Sequence, residues 1–400
     1  MHVFKSTWRL TLNFTCFIIG VGINLPMFAM TRHVGAGQTY TSLTQAITET
    51  VPGDTIMIHT GSYSGGLSIV KLHGTAANRI YIISAPSDTV VFKGGINSWH
   101  MTDAAYVLIR GIIFQQQTGN GFNVDDGGSY STPSHHIVFE CCTFRDIQAK
   151  GNNDLLKMSG VDFFEIRNCT FLNGSAGGSG IDMVGCHEGL ISSNRFENQG
   201  SNSIQVKGGS KNIRIEANFF KNGGQRTLNL GGSTNLQLFR PIDARYEAAG
   251  LTVYSNIFIG SDAPISFVGC VQTEVTNNTI YLPQKWVIRI LQETVDISRF
   301  YPCGNNSFKN NIIYQNSLVS SDCNVGPNTN PQSFSFSNNL WYHSQNPAWH
   351  GPDLPVTDVN CIVGKDPLFN DADSGDFTLK KLSPATGKGF KYVIHNFEPH

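Results

Sequence analysis

A short phrase recurs along this chain and limits what it can fold into. It is a β-branched or aromatic residue, two spacers, Asn or Cys, one spacer, then Phe, Ile or Trp. It appears first as Ile109/Ile112/Phe114, with Ile in the Asn/Cys slot. It continues as Phe139/Cys142/Phe144, Ile166/Cys169/Phe171, Ile191/Asn194/Phe196 and Ile215/Asn218/Phe220. Val253/Asn256/Phe258, Val275/Asn278/Ile280, Phe308/Asn311/Ile313 and Phe336/Asn339/Trp341 complete the series. Successive central positions stand 22 to 38 residues apart. A period of that length with variable insertions marks a solenoid, one coil per repeat.

The phrases alternate apolar and polar residues, and Gly, Asn, Asp and Ser clusters such as 174–178 separate them. That is strand-and-turn chemistry, and no part of the repeat region keeps a helical period. Parallel strands stacked coil on coil fit the pattern, each inward residue lying about 4.8 Å above its counterpart. The fold expected is all-β, a right-handed parallel β-helix. Its recurring Asn forms an internal ladder at a bend, with the Asn itself in the left-handed backbone of the turn. The Phe two residues later forms an aromatic stack.

The ends read differently. Residues 1–30 form a secretory leader: Lys5 and Arg9, a largely apolar run from Leu10 to Met27, and a cleavage neighbourhood at Phe28-Ala29-Met30. A secreted or periplasmic product follows, with an uncleaved N-terminal anchor as the alternative; no later segment is long and apolar enough to span a bilayer. Residues 31–400 read as one domain. Within it, 31–60 supply an N-terminal cap and first coil, and 361–400 a closing segment. Leu43, Ala46 and Ile47 share a helical face behind Thr41 or Ser42 as N-cap, and such a helix would cover the open end of the stack. A strand from Thr55 to His59 follows, and Asp366–Phe369 with Phe377–Leu379 close the far end.

Eight cysteines remain beyond the leader. Cys303 and Cys323 flank an insertion and are the expected disulfide. Cys142 and Cys169 share an anchor slot in neighbouring coils, either bonded or as a buried thiol stack. Cys186 and Cys270 share a slot several coils apart and cannot bridge. A net charge of -1 leaves no footprint for nucleic acid and no polybasic attraction to membrane.

A second register carries the chemistry. Phe122-Asn123-Val124, Leu156-Lys157-Met158, Ile181-Asp182-Met183, Ile204-Gln205-Val206, Leu228-Asn229-Leu230, Ile265-Ser266-Phe267 and Ile288-Arg289-Ile290 each place a polar residue between two apolar ones. Strand alternation turns the flanking residues inward and the middle one outward. The stacked outward column is Asn123, Lys157, Asp182, Gln205, Asn229, Ser266 and Arg289. Asp125, Ser159, Lys207 and Gly231 share that face. Such a column suits the hydroxyls and carboxylates of a periodic ligand, a polysaccharide; the bland alternative is a solvated outer face with cross-strand ion pairs.

The stretch Ser203-Ile204-Gln205-Val206-Lys207-Gly208-Gly209, through Asn218-Phe219-Phe220 to Thr227-Leu228-Asn229-Leu230-Gly231-Gly232, resembles the catalytic stretch of the alginate lyase and chondroitinase B family, within the pectate-lyase-like right-handed β-helices. The likeness covers about 30 residues, and it implies that Lys207 stands where that family has its general base. Gly231-Gly232 replaces the family's Arg-His acid motif, and Gly200 and Asn202 stand where its acidic calcium ligands would lie. More loosely, the opening from Gly35 to Gly66 and the ending from Asp366 to Pro384 are similar to those of many secreted β-helix proteins.

Cleavage of a uronate polymer by β-elimination needs a base, a cation for the enolate and an acid for the leaving oxygen. Lys207 is the candidate base, Arg226 or Arg289 the carboxylate-neutralising cation and His187 the acid. Asn123, Lys157, Asp182, Gln205, Asn229 and Arg289 are candidate substrate contacts. Asp125 and Asp182 are candidate ligands for a calcium cofactor, or a carboxylate pair for glycoside hydrolysis. Trp286, Trp341 and Trp349 either stack on sugar rings or serve core and cap. The expected protein is a monomer acting on an acidic polysaccharide, a lyase before a hydrolase. The alternative is a non-catalytic glycan-binding or surface protein.

Overall fold

The computed structural model describes residues 29–392, so nearly all of the expected leader lies outside the described residues. The described chain winds as a right-handed parallel β-helix with three long sheets of 16, 12 and 10 strands. The first runs from Thr31–Val34 to Asp358–Val359, the second from Gly61–Ser64 to Ile362–Val363, and the third from Leu67–Val70 to Ser321–Val325.

Stacking like on like explains the interior. Phe114, Phe144, Phe171, Phe196, Phe220 and Phe258 form one column with centroids 4.6 to 5.2 Å apart. Beside it runs the amide ladder. Asn194, Asn218, Asn256, Asn278 and Asn311 each donate from Nδ2 to the Oδ1 of the next Asn at 2.9 to 3.1 Å, ending on Asn339. Asn339 Nδ2 then donates to Asp358 Oδ2 at 2.8 Å. The left-handed residue is not the ladder Asn but the one before it: Ser193, Ala217, Ser255, Asn277, Asn310 and Asn338 have φ between 52 and 60°. The preceding residue absorbs the turn, leaving the Asn free to aim its amide along the stack.

Because each rung accepts from one coil and donates to the next, loss of one orphans both neighbours. Asn256 Oδ1 takes both the backbone and side-chain N–H of Asn218. Its Nδ2 serves the Ile215 and Tyr254 carbonyls as well as Asn278. Asn256→Ala is expected to cost roughly 2–4 kcal/mol in urea unfolding, since buried donors and acceptors lose their partners.

Ser42 caps helix Leu43–Thr48 in a capping box with Gln45, and Leu43 and Ala46 are buried. Strand Thr31–Val34, which pairs with Thr55–Ile58, precedes it and was not expected from sequence. The hairpin of Phe369–Asp371 and Asp376–Leu379 lies on the outer face of the second sheet, where Phe369 and Phe377 pack on Tyr281. All eight described cysteines are free, which corrects the expected Cys303–Cys323 bond. Cys303 sits one coil beyond Cys270, beside the Val271–Gly304 bridge of the first sheet, whereas Cys323 pairs with Ile288 in the third. Cys142 and Cys169 are a buried thiol stack, with the Cys142 amide donating to Cys169 Sγ at 3.4 Å.

Candidate functional site

The third sheet carries the outward column in the expected register. Asn123 pairs with Lys157, Lys157 with Asp182, Asp182 with Gln205, Gln205 with Asn229, Asn229 with Ser266, and Ser266 with Arg289. The flanking residues Phe122, Val124, Leu156, Met158, Ile181 and Met183 are fully buried, so alternation alone places the polar residue on the outer face. His100 extends the column below Asn123, and Asn324 extends it beyond Arg289.

Charge concentrates at the middle. Asp182 is 1% exposed and takes the ammonium of Lys157 on Oδ2; Lys207 Nζ lies 3.6 Å from Oδ1, which has no hydrogen-bond partner. A second carboxylate, Asp154, approaches Lys157 Nζ at 3.7 Å and accepts the Ser179 amide at 2.8 Å. Burial, then the charge of Asp182, push the Asp154 carboxyl up to about 6 against the pull of Lys157. Lys157 is held above the usual lysine range: burial opposes its charge, but Asp182 and Asp154 outweigh it.

The raised Asp154 carboxyl makes a pH prediction. Between its ordinary value of 3.8 and about 6, the folded chain keeps a proton that the unfolded chain has lost. Stability therefore falls as pH rises through that window. Asp154→Asn keeps an oxygen acceptor for Ser179 and is expected to remove that fall, worth at most roughly 3 kcal/mol. Thermal melts at pH 4 and pH 7 on both proteins check it.

Two glycines shape the floor beside Lys207. A Cβ on Gly231 would lie 1.7 Å from the Val268 carbonyl oxygen. One on Gly232 would meet Gln205 Nε2 at 2.6 Å and Lys207 Cδ at 3.3 Å. The Lys207 stem and Gln205 occupy the space a side chain at Gly232 would need, and the Val268 backbone fills that at Gly231.

Glu247, fully buried, ties the rim together. Its carboxylate accepts the Gly208 amide at 2.8 Å, the Thr234 amide at 2.9 Å and the Thr234 hydroxyl at 2.7 Å, and also the Thr294 hydroxyl. The turn after Lys207 is thus pinned to two insertions. At the lower flank a cavity of about 220 Å³ opens beside Lys157, lined by Asp126, Tyr130, Ser159, Leu238 and Arg240 among others. A larger cavity of about 320 Å³, bounded by Thr294, Val295, Ile297 and Phe300 in the second insertion, includes none of the column residues.

The other sequence candidates separate. Arg226 Nη1 donates to Asn229 Oδ1 at 3.3 Å and Nη2 pairs with Glu293 at 2.7 Å, so it lies over the column near Arg289. His187 does not join the column. It stands on the first sheet, its Nε2 contacting the Gly209 and Arg240 carbonyls at 3.2 and 3.1 Å and its Nδ1 3.2 Å from Asp162. Burial opposes ionisation of Asp162, but Arg240 and His187 hold its carboxyl down at about 2. Trp341 is buried core, bonded to Asp358; Trp349 packs half-buried on the core. Trp286 lies at the groove between Arg289 and Lys285, 4.3 and 4.2 Å from its ring centroid.

The donor set does not fit calcium. Asp125 and Asp182 lie on strands separated by Leu156–Ser159, and Asp125 is engaged by His100, Asn123 and the Gly127 amide. At Gly200 a Cβ would sit 2.0 Å from the Ser175 carbonyl oxygen, and Asn202 is buried, bonded to Ser179. Among the described residues no three His, Cys, Asp or Glu side chains are grouped to hold a metal ion. Asp154, Glu247 and Glu293 went unseen in the sequence because they lie in turns and insertions outside the repeat.

Family comparison agrees with the coil geometry. The family described as a right handed beta helix region matches residues 94–280 and 155–346, and the chain belongs to it. Solved structures with the same fold include pectate lyase Pel9A, 14% identical, TM-score 0.63, covering 92% of this chain and 94% of that one. Others are a complex of XylC with xylose (11%, 0.55, 85% and 87%) and a rhamnogalacturonan lyase (12%, 0.50, 91% and 95%). A comparison with curated proteins returned no match. No helix among the described residues is long and apolar enough to cross a membrane.

Proposed function

We propose that the chain is a carbohydrate-active β-helix protein that cleaves an acidic polysaccharide by β-elimination, exported by its N-terminal segment and acting as a monomer. The observation that carries the reading is the convergence of Lys157 and Lys207 on buried Asp182, midway along an unbroken polar column. Two structures with the same fold, a pectate lyase and a rhamnogalacturonan lyase, support the substrate class.

In this reading Lys157, held charged by Asp182 and Asp154, faces the uronate carboxylate and stabilises the enolate, the part a metal would otherwise play. Lys207, acting as the neutral amine, takes the proton from the carbon next to that carboxylate and becomes the ammonium. The carbon–oxygen bond at the neighbouring carbon breaks, a conjugated double bond forms, and the proton on Lys207 passes to the leaving oxygen. His187, turned into its own network with Asp162 and Arg240, is not needed.

A panel of acidic and neutral polysaccharides, with and without chelator, tests the proposal. Chain cleavage confined to acidic polymers and indifferent to chelator is expected. Retention of a glycan without cleavage would instead establish the binding protein, and cleavage of neutral polymers a hydrolase; either outcome refutes the elimination.

A further inference from the structure

Beyond the Lys157–Lys207 centre, the column holds a second cationic group. Arg226 reaches across from the start of its strand to Asn229, and Arg289 lies two coils further on, bonded through Nε to Asn324 Oδ1 at 3.0 Å. Burial is the main cause that lowers the Arg289 pKa; the Arg226 charge lowers it further and Glu293 raises it, so the three side chains share one neighbourhood. Between Asn229 and Arg289 in register stands Ser266, fully buried, its Oγ without a hydrogen-bond partner. Trp286 borders the group, with Arg289 over its ring.

The one anion in this group comes from the protein itself. Glu293, two residues past strand Trp286–Leu291, folds back to place Oε1 2.7 Å from Arg226 Nη2. A carboxylate on a guanidinium, beside a second guanidinium and an unused hydroxyl, is the arrangement that receives a uronate: charge-assisted bonding for the acid and a hydroxyl for the ring.

We infer that Arg226, Arg289 and Ser266 form a carboxylate subsite for a uronate unit remote from the bond being cleaved, and that Glu293 occupies it in the free protein as a stand-in for the ligand's acid. The subsite rests on the proposed reading of the column as a polysaccharide groove. Three strand steps, about 14 Å, separate the strand of Lys207 from that of Arg289, so a single chain bound across the strands spans both centres. A bound uronide displaces Glu293 into solvent, and the ion pair it gives up is subtracted from the affinity.

Calorimetric titration with tetragalacturonate, with an alginate-derived tetrasaccharide and with the fully methyl-esterified tetragalacturonate tests this without requiring turnover. All variants are made in the Lys207→Ala background, so the ligand persists. Glu293→Gln is expected to tighten binding of a free-acid tetrasaccharide about fivefold or more, leaving the ester unchanged, and Arg289→Ala to weaken the acid at least tenfold. Equal affinity of the Glu293→Gln variant and its parent, or an equal gain for the ester, overturns the subsite while leaving the groove intact. If no free acid binds any of these proteins, groove and subsite fall together. Turnover surviving in Lys207→Ala removes the base assignment and leaves the subsite standing.

Discussion

Lys207→Ala is expected to lower turnover about a thousandfold or more on any polysaccharide the parent protein cleaves, with little movement of the melting temperature. The two halves of that expectation have separate causes. The Lys207 side chain is 14% exposed and its Nζ stands 3.6 Å from Asp182, but Asp182 keeps its bond to Lys157, so the buried carboxylate does not lose its counter-charge. The fold therefore tolerates the change. Its neighbours along the column do not take the proton: Gln205, Asn229 and Ser266 are not bases at neutral pH, and Lys157 is committed to two carboxylates. Lys207→Arg separates charge from basicity, since a guanidinium restores the cation without accepting a proton. It is expected to bind the polysaccharide and remain inactive. Initial rates and melting curves on the three proteins check both.

Glu247→Ala is expected to produce the largest loss of stability, roughly 3 kcal/mol or more in chemical unfolding. Four donors from three segments converge on that carboxylate, and an alanine leaves the Gly208 and Thr234 amides buried without acceptors. Because Gly208 follows Lys207 directly, the same change loosens the base, so kcat falls even where the protein remains folded. Glu247→Gln keeps one acceptor oxygen and the shape, and is expected to recover most of the stability.

The scaffold was legible because a solenoid makes sequence periodicity and spatial adjacency the same thing. Once Phe122-Asn123-Val124 and Ile288-Arg289-Ile290 are read as the same strand in different coils, the neighbours of Asn123, Lys157, Asp182, Gln205, Asn229 and Arg289 follow from alternation. The amide ladder followed for the same reason, although the left-handed turn belongs to the residue before each Asn. Where the repeat is interrupted, that equivalence ends. Residues 232–247 and 292–303 leave the coil, and their paths are set by tertiary contacts such as those of Glu247 and Arg240. Glu293 and the cavity wall at Leu238 and Arg240 were invisible for that reason. His187 follows a strand of the column by only a few residues, yet the turn at Gly185 carries it onto another sheet. Cys303 and Cys323 show the same limit: proximity across an insertion suggested a bond, and the coil stacked Cys303 on Cys270 instead.

Elimination leaves a chemical mark that hydrolysis does not, an ultraviolet-absorbing double bond conjugated to the new terminal uronate. Following that absorbance alongside reducing ends, for the parent and Lys207→Ala on one acidic polysaccharide, tests the assignment of the base directly. The expected result is absorbance rising in step with reducing ends for the parent and neither signal for the variant. Reducing ends without absorbance, or a variant that matches its parent, would contradict it.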